Sequence, residues 1–258
     1  VDSSGVYAAA QITETAPVLL KQSLDGKQRY WTRPRGDVTK GRYQGGISLA
    51  SDGQGRLFML QQNGYLQVID AAEGTLQATW DVLPENLTRK GDGGPTWFIY
   101  EHGERVAGAD MDAREDTIVI SYRDRDRVRW VSPKNGETVR EIEVPDPTGV
   151  AVGPKGDVLV LSGSRVLRIS VAGEQVPVIQ EGLTTPRRLA FDPQAGELLV
   201  AEGAPGSQVK RFSVEGELLG AYGRPGGRQQ GAYRPGNFRG ITDIAIDGDG
   251  GFLVAELK

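Results

Sequence analysis

Two stretches of this chain carry side chains able to do chemistry. The first, LPENLTRKGDGGPTWFIYEHGER, holds the single histidine of the sequence, His102, beside Glu101 and close to Trp97 and Tyr100. An imidazole titrating near pH 6.5 suits general base work, yet a lone histidine cannot build a multi-histidine metal centre. We expect no catalytic residue and no metal ligand there; the WFIY run reads as either a packed apolar plug or a platform for a partner. The second stretch, GRPGGRQQGAYRPGNFRG, spaces Arg224, Arg228, Arg234 and Arg239 among Tyr233 and Phe238 with no acid between them. Guanidinium forks grip phosphate, sulfate or carboxylate in bidentate fashion, and the rings could stack on bases or sugars. The same strip also reads as a linker whose glycines permit close packing and whose arginines are solvated or paired. Together Trp97, Tyr100, His102, Arg224, Arg228, Tyr233, Arg234 and Arg239 form the candidate binding set.

Other charged patterns are weaker. Asp110, Asp112, Asp192 and Asp247 fall at strand ends or in the turns after them, and DGDGG resembles a calcium loop but lacks the downstream bidentate glutamate. Turn formation accounts for them, so no cofactor is expected, with calcium the one kept open. In YRDRDRVRW, opposite charges one residue apart largely cancel at a Debye length of about 8 Å, which describes a solvated loop.

The elements that must hold these residues are strands. The chain has 258 residues with 36 glycines and 14 prolines, and no long stretch of helix formers at a 3.6-residue period. No apolar run approaches the roughly 18 residues that cross a bilayer, so no membrane insertion is expected. With no cysteine there is no disulfide framework, thiolate metal site or cysteine nucleophile. A net charge of −4 gives no global signature for nucleic acid.

A paired hairpin recurs. ISLASDGQGRLFML, ADMDAREDTIVIS, VAVGPKGDVLVLS, LAFDPQAGELLVAE and IAIDGDGGFLVAE each read as an alternating strand, a polar turn and a more apolar strand. The turn carries Gly55, Gly156, Gly196 or Gly250, while Glu115 and Asp116 fill the third copy, which must close in another way. A second hairpin follows each time, with Ser or Asp three or four residues before a glycine, as in SVEGE. Two hairpins make a four-stranded unit with a period of about 40 residues, the mark of a β-propeller blade.

At this point the residues resemble a known family. PRRLAFDPQAGELLVAEGAPGSQVKRFSVEGELLGAYG and YGRPGGRQQGAYRPGNFRGITDIAIDGDGGFLVAE are similar to NHL repeats, with a strand ending in Asp, a glycine turn and a strand ending in Val-Ala-acid. The earlier repeats depart from the pattern: Gln61 stands where the acid is expected. The resemblance implies an all-β, six-bladed propeller of bacterial type, a single domain spanning 1–258. Its blades would be 1–34 (partial), 46–82, 106–144, 147–182, 186–223 and 238–258 (partial), within a larger chain.

In such a fold the links between blades and the loops between second and third strands share one rim, and the long insertions at 35–45, 83–105 and 224–239 all fall on links. Loops held by a rigid scaffold usually carry function. The expected function is a non-enzymatic module that binds a protein or glycan partner through this rim, in an extracytoplasmic protein. A propeller hydrolase, lactonase or lyase with a channel-bound cation is the alternative. RNA binding, which the resemblance also allows, is not favoured.

Overall fold

A computed structural model describes residues 5–11, 17–31, 46–61, 64–83, 88–89, 99–101, 104–106, 108–228, 236–247 and 250–256. It is all-β apart from two single 3-10 turns, Arg123–Arg125 and Pro154–Gly156. The chain divides into two compact units, Val1–Glu143 and Val144–Lys258.

In the first unit, β1 (Val6–Gln11), β2 (Pro17–Gln22) and β3 (Arg29–Trp31) form a three-stranded antiparallel sheet. Next comes a four-stranded sheet of β4 (Gly46–Ser51), β5 (Arg56–Gln61), β6 (Tyr65–Asp70) and β7 (Leu76–Asp81). The stretch 83–105, expected as a loop, instead contributes to a small sheet of its own: β8 (Thr88–Arg89), β9 (Ile99–Glu101) and β10 (Glu104–Val106). Strands of two and three residues are too short for alternation to announce them. The unit closes with β11 (Gly108–Arg114), β12 (Thr117–Tyr122), β13 (Arg127–Val131) and β14 (Thr138–Glu143).

The second unit holds two four-stranded sheets and a two-stranded one. They are β15 (Pro147–Val152), β16 (Val158–Ser162), β17 (Arg165–Ile169) and β18 (Gln175–Ile179), then β19 (Pro186–Asp192), β20 (Glu197–Glu202), β21 (Val209–Ser213) and β22 (Leu218–Tyr222). The last pair is β23 (Ile241–Ile246) and β24 (Phe252–Glu256). Every four-stranded sheet is a meander in chain order, as two successive hairpins require.

Burial explains the order of strands. The second strands, such as Thr117–Tyr122 and Val158–Ser162, are buried along almost their whole length on both faces, whereas fourth strands such as Thr138–Glu143 and Leu218–Tyr222 are largely exposed. A strand apolar on both faces must be covered twice. In the first unit one face of the β4–β7 sheet packs Leu57, Met59 and Ile69 against Tyr7 and Leu19, and the other packs Phe58, Leu60 and Leu66 against Met111, Ile118 and Ile120. In the second, Leu198, Val200 and Phe212 of the β19–β22 sheet meet Ala151, Leu159 and Leu161, while Leu199, Ala201 and Val209 meet Ile241 and Ile244. Each fully buried Leu or Ile contributes about 1.5–3 kcal/mol, which makes these faces the dominant favourable term.

The packing is tight enough to dictate residue type at one outer turn. A Cβ on Gly216 would lie 1.9 Å from the Val178 carbonyl oxygen of the preceding sheet, so the turn between β21 and β22 must be glycine there. At the turn between β11 and β12 the chain closes with only two residues, and Glu115 itself takes the left-handed φ of 50°. Gly196, at φ 66° in the turn of the β19–β22 sheet, has open space around it. Gly196→Ala is therefore expected to cost about 1 kcal/mol through backbone strain alone. Glu115→Gly, which removes that strain, should raise stability by up to about 1 kcal/mol. Urea unfolding of the two variants beside the parent checks the opposite signs.

Candidate functional site

The links and the loops between second and third strands emerge along one edge of the sheets in each unit, because the meanders bring the ends of second and fourth strands to the same side. First strands start at this edge, and five of their pairings with second strands carry the same irregularity. The register shifts between Gly46 and Ser48, Gly108 and Asp110, Pro147 and Gly149, Pro186 and Arg188, and Ile241 and Asp243. A bulge at this point bends the incoming chain over the end of the second strand.

The residue ending that strand then ties the link down. In the first unit the buried Tyr122 hydroxyl donates to the Val82 carbonyl at 2.8 Å. Arg129, also buried, reaches the same oxygen at 3.3 Å while donating to Glu141 at 2.9 and 2.6 Å. Burial pushes the Tyr122 phenol above its ordinary pKa, which favours the protonated, donating form. In the second unit the Ser162 hydroxyl donates to the Pro145 carbonyl at 2.6 Å. Glu202, 1% exposed, accepts the amides of Thr184 at 2.5 Å and Thr185 at 3.3 Å. Its other oxygen lies 2.7 Å from the Lys210 ammonium, which also donates to the Gly182 carbonyl at 2.6 Å. Glu256 repeats the device by accepting the Arg239 amide. The matching position in the β4–β7 sheet is Gln61, whose buried amide, like that of Gln67, has no hydrogen-bond partner among the described residues.

Of the residues singled out from sequence, Trp97, His102, Tyr233 and Arg234 lie outside the described residues. Tyr100 lies in β9, opposite Thr88 and Arg105. Arg224, Arg228 and Arg239 are brought to one edge of the second unit, and their backbone is built into it. The Gly226 amide donates to Pro205 at 3.0 Å, the Arg228 amide to Phe238 at 2.8 Å, and the Gln208 side chain to Gly223 at 3.0 Å. Arg224 and Arg239 are exposed, and Arg228 is half-buried. Phe238, considered from sequence as a ring for stacking, instead packs on the Leu199, Ala201 and Ile241 cluster.

The turn aspartates spend their carboxylates locally. Asp192 accepts the amides of Gln194 and Ala195 at 2.8 and 3.1 Å, and Asp247 accepts that of Gly251 at 2.6 Å. Asp110 lies instead within β11 and accepts the hydroxyl of Ser48 in the neighbouring β4–β7 sheet at 2.9 Å. Among the described residues no group of three or more His, Cys, Asp or Glu is placed to hold a metal ion. In the DRDR stretch the flanking Arg127 pairs with Glu141 at 3.5 Å and Glu143 at 3.1 Å.

Sequence reasoning missed Tyr122, Ser162 and Lys210 as link-holding groups, and Arg165 and Arg187 as members of this edge. For the first two the only signal was position, the last residue of a second strand, because tyrosine, serine and glutamate share no chemistry beyond hydrogen bonding.

No protein-family model matches the chain, and no curated protein matches it in sequence. Solved structures do match in fold. A hydrazine synthase of Kuenenia stuttgartiensis aligns with a TM-score of 0.53 at 19% identity, over 84% of this chain and 56% of that one. This chain therefore spans little more than half the length of that chain. A chain of the mitotic checkpoint complex aligns at 0.59 and 11% identity, over 98% and 68%, and one of a nidogen/laminin complex at 0.57 and 14%, over 85% and 77%. At such identities the likeness is one of fold: the chain is a β-propeller.

The link-holding contacts make a direct prediction. Glu202→Ala leaves the Thr184 and Thr185 amides and the Lys210 ammonium, 15% exposed, without their carboxylate, and is expected to cost about 3 kcal/mol. Glu202→Gln keeps an acceptor for the amides and should cost about half as much. Denaturant midpoints of the two variants decide it.

Proposed function

We propose that this β-propeller is a binding module that engages a protein or glycan partner through the edge carrying its inter-blade links, with a protein the preferred class. The observation that carries this reading is the anchoring of those links. Tyr122, Ser162, Glu202 and Glu256 each hold link backbone against the end of a second strand. Loops held in one geometry lose little entropy on binding, and a rigid scaffold presenting them is how propeller and sandwich folds recognise partners. The nidogen and checkpoint chains are found in protein complexes, which supports the preferred class by analogy of fold alone.

The NHL-type reading extends from the same residues. Val200-Ala201-Glu202 and Val254-Ala255-Glu256 end in the acid, and that acid is the group engaged on the link. We take the chain as one domain of six blades, belonging to a larger extracytoplasmic protein. Trp97, Tyr100 and His102 of the first unit, and Arg224, Arg228, Tyr233, Arg234 and Arg239 of the second, remain the proposed contact residues.

Site-specific photo-cross-linking tests the edge. With p-benzoylphenylalanine replacing Ser164 or Glu181 on the link edge, one partner should be trapped from both positions, and none when it replaces Ala172 or Gln194 on the opposite edge. Adducts confined to Ala172 and Gln194 would reverse the assignment.

A further inference from the structure

The two edges of the second unit differ in how many of their exposed arginines are paired. On the edge of the turns between first and second and between third and fourth strands, the arginines are engaged. Arg211 is held by Glu197 at 2.6 Å through both Nε and Nη2, which raises its already high pKa, and Arg168 lies 4.0 Å from Asp157. Lys155, Glu174, Glu215 and Glu217 are all exposed on that edge. The link edge holds pairs of its own, Arg188 with Asp243 at 3.9 Å and Lys210 with Glu202 at 2.7 Å, and the exposed acid Glu181. Arg165, Arg187, Arg224 and Arg239 are all exposed there, and among the described residues none of their guanidinium groups has a hydrogen-bond or ion-pair partner.

We propose that this edge of the second unit docks an acidic segment of a protein partner, whose carboxylates are taken by Arg165, Arg187, Arg224 and Arg239. The inference rests on the binding role of the link edge and adds the chemistry of what it binds. An arginine whose charge is taken by a carboxylate is structural, as Arg211 is with Glu197; exposed arginines left open on one side hold a field that attracts anions and steers their approach. The backbone near Arg187 and Arg224 is fixed on the loop 203–208. The Gly203 amide donates to Thr185 at 2.8 Å, the Ser207 amide to Gly203 at 2.8 Å and the Gly226 amide to Pro205 at 3.0 Å. Arg187 lies across Gly203 so closely that a Cβ there would sit 2.8 Å from its Nε. Arg239 is fixed through its amide on Glu256. Arg165 begins β17, opposite Ser162, whose hydroxyl holds the preceding link.

The surroundings select among anions. Single-stranded nucleic acid and sugars need open aromatic faces for stacking. In the described part of this unit Phe238 is half-buried against a core cluster, and the Tyr222 ring, though 43% exposed, is engaged edge-on by Phe252 at 5.0 Å, with the Arg211 guanidinium 5.9 Å from it. Planar forks match carboxylates, and glycine-rich backbone beside them leaves room for an extended peptide.

The test uses the whole chain and a fluorescent peptide of alternating Glu and Gly, with anisotropy read at about 0.15 M salt. The parent should bind, and more weakly as salt rises. Arg187→Glu with Arg224→Glu should weaken binding at least about tenfold, while Lys155→Glu on the opposite edge leaves it unchanged. Thermal melts of all three proteins confirm that the variants are folded. Absence of peptide binding, equal loss with Lys155→Glu, no loss with the double variant, or binding of heparin in place of the peptide would each overturn the proposal. If Ser164 and Glu181 still trap a partner while the double variant binds unchanged, the edge keeps its role and the acidic partner falls; if they trap none, the edge itself falls.

Discussion

Everything in this protein follows from second strands that are apolar on both faces. A sheet built around such a strand exposes greasy surface on each side, and water penalises both at about 25 cal/mol per Å². One neighbour covers only half of it. Within the first unit the β4–β7 sheet is accordingly flanked twice, by Tyr7 and Leu19 on one face and by Met111, Ile118 and Ile120 on the other. Within the second the β19–β22 sheet is flanked in the same way. Sheets related like this place their strand ends along common edges, so the positions of the connections are a consequence of core packing.

The link edge turns that consequence into a surface. Backbone arriving there would have unpaired amides and carbonyls beside an apolar core, and unpaired buried polar groups are costly. The last residue of the second strand answers the cost with whatever chemistry suits the local link. Tyr122 and Ser162 donate to carbonyls, whereas Glu202 and Glu256 accept amides. One geometric task thus tolerates several side chains. The partner residue on the third strand changes with it: Lys210 supplies the counter-charge for Glu202, and Arg129 shares the Val82 carbonyl with Tyr122.

Charge then distinguishes the two edges of the second unit. Close acid–base pairs such as Arg211–Glu197 neutralise the turn edge locally, whereas among the described residues the guanidinium groups of Arg165, Arg187, Arg224 and Arg239 on the link edge have no such partner. The protein as a whole carries −4, so the basic strip is a local property that net charge conceals.

The all-β architecture, the paired hairpins and the four-stranded meander were legible in the amino-acid order, because alternation and turn glycines are written at periods of two and about 40 residues. So was the acid at the end of the Val-Ala-acid strands, though only as a position. What tertiary structure alone decided was which groups meet. Whether Phe238 stacks on a ligand or packs in the core, and whether Arg187 finds a carboxylate as Arg211 does, depends on residues far away in sequence. Short strands such as Thr88–Arg89 and Ile99–Glu101 were equally invisible, since two or three residues carry no period. Local pattern specifies which face of a strand is apolar; only the packing of one sheet against another determines what each polar end can reach.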